Sequence, residues 1–435
     1  EPFDPLQRIL HQFIGTEGIF TMLHGDAHPV ANKKWYKQRK LAALLFTQRN
    51  TNTLMYDVFI RKCEILSKVL TQATKKGDPV DMQAKFYSFT MDSIEEIFYG
   101  HKQNTLEGSM SEFGQAFDAA QNEMIACGFT FVPFFILSDE IFPYPFGNIL
   151  ARKGEPLKTI FMKFVTTLSP SWNRFIRHTK TLDSSVRKMI NETYKDPNLD
   201  ERKDLLGRFA RIKTEDGKRL DKESLRDIVL NLTLAGRDTT AATMTWMFFL
   251  LSQNPEVEEK LLEEIDEKLL GRTPTPEDMA PKNMPYLNGV LYETLRLYPP
   301  VPLDLKEASA DLHYHDGTFI PKNTKLIFSP YAMGRNPTIY NDPLKVDPNR
   351  WIPFKTPPLF QFPVFQAGPR FCLGKDMAQF EAKLVATYLL QKFRFRLLEG
   401  EAEKITYGLA ITMILQNGDN SNQLLMVPEI RNARD

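Results

Sequence analysis

The sequence predicts a mainly α-helical protein with a minor share of β structure, and two observations carry that prediction. Apolar residues recur at helical spacing over most of the 435 residues. Strand signals are short and fall in the last third of the chain. The composition agrees, since 42% hydrophobic, 11% aromatic and 25% charged residues can fill a large core. Length alone suggests two or three domains. The chain has no Gly/Ser-rich linker, no low-complexity run and no internal repeat, so one domain is expected over residues 1–435.

Taken in order, helical periodicity runs through residues 35–40, 54–73, 83–99 and 110–126, and resumes at 157–167 and 171–194. Residues 221–253 are apolar nearly all round, which predicts a central buried helix. Residues 255–269 are charged and amphipathic. The helix at 286–297 is stopped by Pro299-Pro300, because proline brings no N–H to continue it. Asp316-Gly317, followed by 318–320 and 326–328, predicts a hairpin. Residues 337–363 are rich in Pro, Asn and Asp and read as loop. A final helix is expected over 375–392, and the tail to Asp435 alternates weakly, as a small hairpin would.

Charge and cysteine usage exclude several classes. With 55 basic against 54 acidic residues, the net charge of +1 argues against bulk nucleic-acid binding. Three distant cysteines, Cys63, Cys127 and Cys372, form neither a disulfide framework nor a zinc spacing. No apolar run reaches transmembrane length; the longest, 127–137, is broken by Pro133. No signal peptide is visible.

The sharpest chemistry lies in Phe365-Gln-Ala-Gly-Pro-Arg-Phe-Cys-Leu-Gly374. A thiolate needs positive potential to persist near neutrality. Cys372 stands just before an expected helix, whose N-terminal dipole and open N–H groups favour an anion. Gly368 and Gly374 permit tight turns and close approach of backbone to a flat ligand. Arg370 can pair with an anionic group, and Phe365 can shield the sulfur. By itself this segment also fits a structural cysteine in a glycine-containing loop.

These residues resemble the haem-ligand signature of the cytochrome P450 family, and four further motifs follow the family's pattern. Ala235-Gly-Arg-Asp-Thr-Thr240 places polar groups mid-helix, where they can distort a turn and open a groove. The resemblance implies that Asp238 and Thr239 relay protons during O–O cleavage. Glu293-Thr-Leu-Arg296 puts two charges on one helix face; the resemblance implies a buried structural trio with Arg350. Asn349 departs from an acidic residue common there. Trp35 and Arg39, four apart, can point the same way, toward a haem propionate in the family. Tyr331-Ala-Met-Gly-Arg335 follows Lys306, which lies where the family often has a basic residue near a propionate.

The resemblance implies the cytochrome P450 fold, with haem between the long central helix and the Cys372 loop. It implies haem b (iron protoporphyrin IX) as cofactor and a monooxygenase reaction that uses O2 and two electrons. No Gly-x-Gly-x-x-Gly fingerprint is present, so electrons are expected from NADPH through a separate flavoprotein, NADPH-cytochrome P450 reductase. Residues 235–251, 291–308 and 331–335 are most similar to plant and fungal fatty-acid and alkane ω-hydroxylases. That implies a fatty acid substrate in a long apolar channel. The pocket is expected from the loop before Trp35, from 234–239 and 301–305, and from the tail near Ile411. A membrane address at the cytoplasmic face of the endoplasmic reticulum is implied, with an N-terminal segment of anchor and early strands preceding residue 1.

Lys33, Lys34, Lys37, Arg39 and Lys40 form a basic cluster, read as a solvated face or, with Lys375 and Lys383, a reductase docking site. His313 and His315 share a strand face without an evident third ligand. The aromatic stretch 129–146 is expected in the core or in an access channel that dips into a membrane. Two other readings remain open at this point: a haem-thiolate isomerase or dehydratase acting on lipid peroxides, and a haem carrier or sensor without turnover.

Overall fold

A computed structural model describes residues 5–16, 18, 19, 29–108, 110–124, 169–213, 217, 219–409, 411–419 and 421–431. The helix expected at 157–167, the aromatic stretch 129–146 and Cys127 lie outside these residues. Elsewhere the expected helices form with small shifts at their ends, except the one expected at 35–40, which begins six residues earlier and ends three later. They run Pro29–Ala43, Tyr56–Lys76, Met82–Tyr99, Pro170–Lys195, Lys222–Gln253, Pro255–Leu269, Pro285–Leu297 and Lys375–Leu390. Residues 112–124 are also helical.

Local chemistry sets several of these ends. The Asp81 carboxylate accepts the Ala84 amide at the start of Met82–Tyr99, and Gly100 ends that helix at φ 71°. Ser169 caps Pro170–Lys195 through the Trp172 amide, with proline in the first turn. A five-residue π-turn, Thr51–Met55, leads into Tyr56–Lys76. The helical period does not announce it.

The chain divides into two compact units, residues 1–23 with 110–232, and 24–109 with 233–435. In the first, Phe13 packs on Phe117 with ring centres 5.2 Å apart, and Asn231 Nδ2 donates to the Ile14 carbonyl at 2.8 Å. In the second, the rings of Phe86, Phe248 and Phe395 form a continuous aromatic core, with centres 5.0 Å apart at each step.

The β structure is minor, as expected. Strands β1 (Val80–Asp81), β9 (Leu425–Ile430) and β6 (Phe393–Leu397) make an antiparallel sheet in that order. Three ribbons accompany it: β2 (Asp304–Glu307) with β5 (Lys325–Phe328), β3 (Leu312–His313) with β4 (Phe319–Ile320), and β7 (Thr406–Leu409) with β8 (Met413–Gln416). The expected hairpin needs correction, because β4 and β5 are not partners. The Asp316-Gly317 turn, with Gly317 at φ 89°, folds β4 back onto β3 instead. Asn323, at φ 68°, then turns the chain so that β5 returns to β2.

Candidate active site around Cys372

The thiol loop is built by three backbone features. Cys372 donates its amide to the Phe365 carbonyl at 2.8 Å, which closes the loop on itself. Gly368 turns at φ 77°, a conformation that suits glycine. Gln366 sits at φ 66° and ψ 176°, a region that side-chain-bearing residues rarely enter. Gly374 then opens the helix Lys375–Leu390, so the sulfur lies within two residues of a helix N-terminus.

Electrostatics around the sulfur pull in two directions. Burial pushes the Cys372 thiol above its ordinary value; the Gly374 amide, Arg39 and Lys375 pull it back, while Asp376 adds to the rise. A cation at the sulfur reverses that balance, since a metal-coordinating thiol is deprotonated outright.

Two guanidiniums gather beside the loop. Arg39 donates Nη2 to the Phe371 carbonyl at 2.7 Å and lies 4.8 Å over the Phe371 ring. Arg370 lies 4.3 Å over the indole of Trp35, which is buried. Burial, and then the neighbouring Arg39 cation, lower the Arg370 guanidinium to about 10. Trp35, Arg39, Arg370 and Cys372 are thus brought together. The Phe365 ring faces Lys375 Nζ at 5.8 Å.

The long helix Lys222–Gln253 contributes the second element. From residue 224 to 251 every residue is buried except Ala235, Gly236 and Thr239. Their spacing places them on one side of the helix, so a half-buried strip of small residues falls at the motif singled out in the sequence, with Gly236 packed against Ile94, whose Cδ1 lies 2.5 Å from where a Cβ would stand. Thr239 Oγ1 donates to the Ala235 carbonyl at 2.6 Å, the kind of bond that loosens a turn. Asp238 is fully buried, and its carboxylate accepts from Arg237 Nη1 at 3.0 Å. Arg237 in turn lies 4.8 Å over the Tyr87 ring.

Glu293, Arg296 and Arg350 also meet. Glu293 and Arg296 are fully buried and paired, with Arg350 Nε 3.4 Å from Glu293 Oε1. Arg296 donates further to the carbonyls of Gly334 at 2.6 Å and Lys345 at 3.0 Å. Trp351 donates its indole N–H to Glu293 at 2.9 Å. Sequence reasoning missed Trp351, although an aromatic directly after Arg350 was its signal. Asn349 bonds only locally, to Asp347.

Other expected residues lie elsewhere. Lys306 stands exposed on β2 opposite Leu326, where its charge acts on Asp304. Leu303 and Leu305 are exposed, 52% and 55%. Among the described residues no cluster of His, Cys, Asp and Glu could hold a metal ion, and His313 packs on Phe319. Lys383 corrects an expectation. It is buried and donates to the Met279 carbonyl and to Asn288 Oδ1 at 3.0 Å, and burial lowers it to about 8. It cannot belong to a docking face.

A sequence model of the cytochrome P450 family matches residues 20–421. The chain belongs to the cytochrome P450 family. Cytochrome P450 86B1 of Arabidopsis thaliana is 31% identical over 414 residues, spanning 89% of this chain and 68% of that protein. Cytochrome P450 704C1 of Pinus taeda is 32% identical over 449 residues, spanning 95% and 78%. Cytochrome P450 94B1 of Arabidopsis thaliana is 32% identical over 400 residues, spanning 87% and 71%. The crystal structure of the cytochrome P450DA heme domain superposes with a TM-score of 0.75 at 19% identity, over 99% of this chain and 82% of that one. That likeness shows the P450 fold.

As a P450, the protein is a haem-dependent monooxygenase that uses O2, a substrate and a redox partner. The loop suits such a cofactor on its own chemistry. It offers a soft ligand in Cys372, two partly desolvated cations for carboxylates in Arg39 and Arg370, and a strip of small residues on the long helix.

Proposed function

We propose that this P450 hydroxylates a fatty acid at or near its ω end, with electrons from NADPH passed through a separate flavoprotein reductase. The observation that carries the oxygenase reading is the strip of Ala235, Gly236 and Thr239, the one break in an otherwise buried stretch of helix. The fatty-acid reading rests on residues 235–251, 291–308 and 331–335, which resemble ω-hydroxylases of that class.

Bound haem b supplies the activation of O2 and the oxidising power for a C–H bond. The chain's residues supply the rest. Cys372 would hold the iron through its sulfur, with Gly374 and Arg39 favouring the thiolate. Trp35, Arg39 and Arg370 would hold the propionates, with Lys306 proposed as a further cation for them. Gly368 and Gly374 let the loop approach the macrocycle, and Phe365 keeps water from the sulfur. Thr239 holds a proton at its hydroxyl and Asp238 replenishes it, with Arg237 holding the carboxylate in place. Glu293, Arg296 and Arg350 brace the segment that leads to the loop. Asp238 and Thr239 favour O2 activation over peroxide isomerisation.

Lys33, Lys37 and Lys40, exposed on the same helix as Arg39, form the reductase-facing side. The proposed address is the cytoplasmic face of the endoplasmic reticulum membrane. No helix among the described residues is long and apolar enough to cross a membrane.

The reduced, CO-bound absorption spectrum is the first test. A strongly red-shifted thiolate band is expected from the protein and not from Cys372→Ser; the same band in both overturns the ligand assignment. Fatty acids of graded length, with NADPH and reductase, then test the substrate. Terminal hydroxylation is expected. Turnover of lipid hydroperoxides without reductase, or no NADPH consumption at all, would point to the isomerase or carrier reading instead.

A further inference from the structure

One segment meets the thiol loop at three points in ascending order. Trp35 lies under Arg370, Arg39 bonds the Phe371 carbonyl, and Phe46 faces Gly374. The edge of the Phe46 ring, at Cε1, lies 3.6 Å from where a Cβ on Gly374 would stand. Phe46 belongs to none of the motifs described above. Its ring continues the contact inward, meeting Phe98 edge to face with centres 5.7 Å apart and planes at 80°. Phe98 is buried near the end of the helix Met82–Tyr99, and its Cε2 lies 3.7 Å from the Cβ position of Gly236, beside Ile94 of the same helix, whose Cδ1 lies nearer at 2.5 Å. The next residue, Tyr99, anchors that helix end by a hydrogen bond of 2.9 Å between its hydroxyl and Thr233 Oγ1.

Two aromatic rings, with Ile94 beside the second, therefore lie between Gly374, two residues past the thiol, and Gly236, three residues before Thr239. Both ends are glycines, so neither supplies a side chain of its own, and the space beside each is filled by Phe46 at Gly374 and by Ile94 and Phe98 at Gly236. We infer that Phe46 is a positioning residue for the thiolate. It works through Phe98, holding the Cys372 loop at a fixed distance from the turn that carries Asp238 and Thr239. The inference rests on Cys372 as axial ligand. An edge-to-face pair has a preferred geometry that an aliphatic side chain of similar hydrophobicity lacks. Hydrophobic burial alone would make leucine an adequate substitute, and positioning would not.

The test uses the haem-loaded enzyme, reduced and CO-bound, and reads the ratio of neutral-thiol to thiolate carbonyl complexes. Each variant is measured well below its own thermal midpoint. Phe46→Leu is expected to raise that ratio about fivefold, equivalent to about 1 kcal/mol, while Phe46→Tyr keeps the wild-type ratio. Phe59→Leu is the control: Phe59 is buried and packs on Phe89 and Phe380 at 6.4 and 6.1 Å, away from the Phe46–Phe98 pair. If Phe46→Leu leaves the ratio unchanged, or Phe59→Leu moves it as far, Phe46 is ordinary packing and the inference fails. Should Phe46→Leu give no folded protein, Phe98→Leu removes the same contact from its other side and is judged by the same ratio. A wild type with no thiolate band fails differently: it removes the ligand assignment, and this inference with it.

Discussion

Gln366 holds a backbone conformation, φ 66° and ψ 176°, that is close to glycine's preserve, six residues before the thiol. Residues held there store roughly 1–3 kcal/mol of strain. Gln366→Gly releases it, offset by about 0.5–1 kcal/mol of extra unfolded-chain entropy. The variant is expected to unfold at a higher temperature with its haem content unchanged, as calorimetry of the loaded protein would show. A lower midpoint would mean that the glutamine side chain contributes contacts worth more than the strain. Thr239 carries the proposed proton relay. Its hydroxyl is already donated to the Ala235 carbonyl, so its proton is held at a defined place. Thr239→Ala is expected to retain haem while product formed per NADPH falls about 10- to 100-fold, with the missing electrons recovered as hydrogen peroxide. Full coupling in that variant would remove Thr239 from the relay. The sequence marked Thr239 but not Gln366, because residue type alone does not reveal φ.

At the scale of elements, the helix Lys375–Leu390 carries a liability in its middle. Glu381 is fully buried, and among the described residues neither carboxylate oxygen has a hydrogen-bond partner. Burial pushes its carboxyl well above the ordinary 4.5. The folded state therefore keeps a proton that the unfolded state releases above about pH 4.5, and stability falls as pH rises from there toward the folded value. Glu381→Met removes that slope and is expected to stabilise the protein at neutral pH by roughly 1–3 kcal/mol, the usual cost of a buried polar group left unpaired. Urea melts at pH 5 and pH 8 would check it; an unchanged pH slope would mean that Glu381 finds a partner in solution. Legibility also varied by element. Residues 255–269 were readable to both ends because proline opens the helix and its charged face has a clear period. The pairing of β4 and β5 was not, because strands of two and four residues leave partner choice to the turns at Gly317 and Asn323. Lys383 was misplaced because a lysine on an amphipathic helix ordinarily reaches solvent, whereas Met279 and Asn288 capture this one inside.

Across the whole molecule, a net charge of +1 gives little long-range field, so partner recognition falls to local clusters. Lys33, Lys37 and Lys40 are exposed on the helix that also sends Arg39 to the thiol loop. The double variant Lys37→Glu with Lys40→Glu is expected to raise the reductase concentration for half-maximal rate about tenfold at low salt, and to flatten the dependence on ionic strength. Unaltered salt dependence would place docking elsewhere.

Arg39 and the Phe371 carbonyl that it holds are 332 residues apart in the chain. The consequence falls on biosynthesis. At about 5–20 residues per second, the helix carrying Trp35 and Arg39 leaves the ribosome roughly 15–70 s before its loop does. During that interval its indole and guanidinium lack their partners Arg370 and Phe371. On the proposed ligation by Cys372, haem binding through sulfur must wait until residue 372 has been made, and a chain stopped short of it lacks the proposed iron ligand.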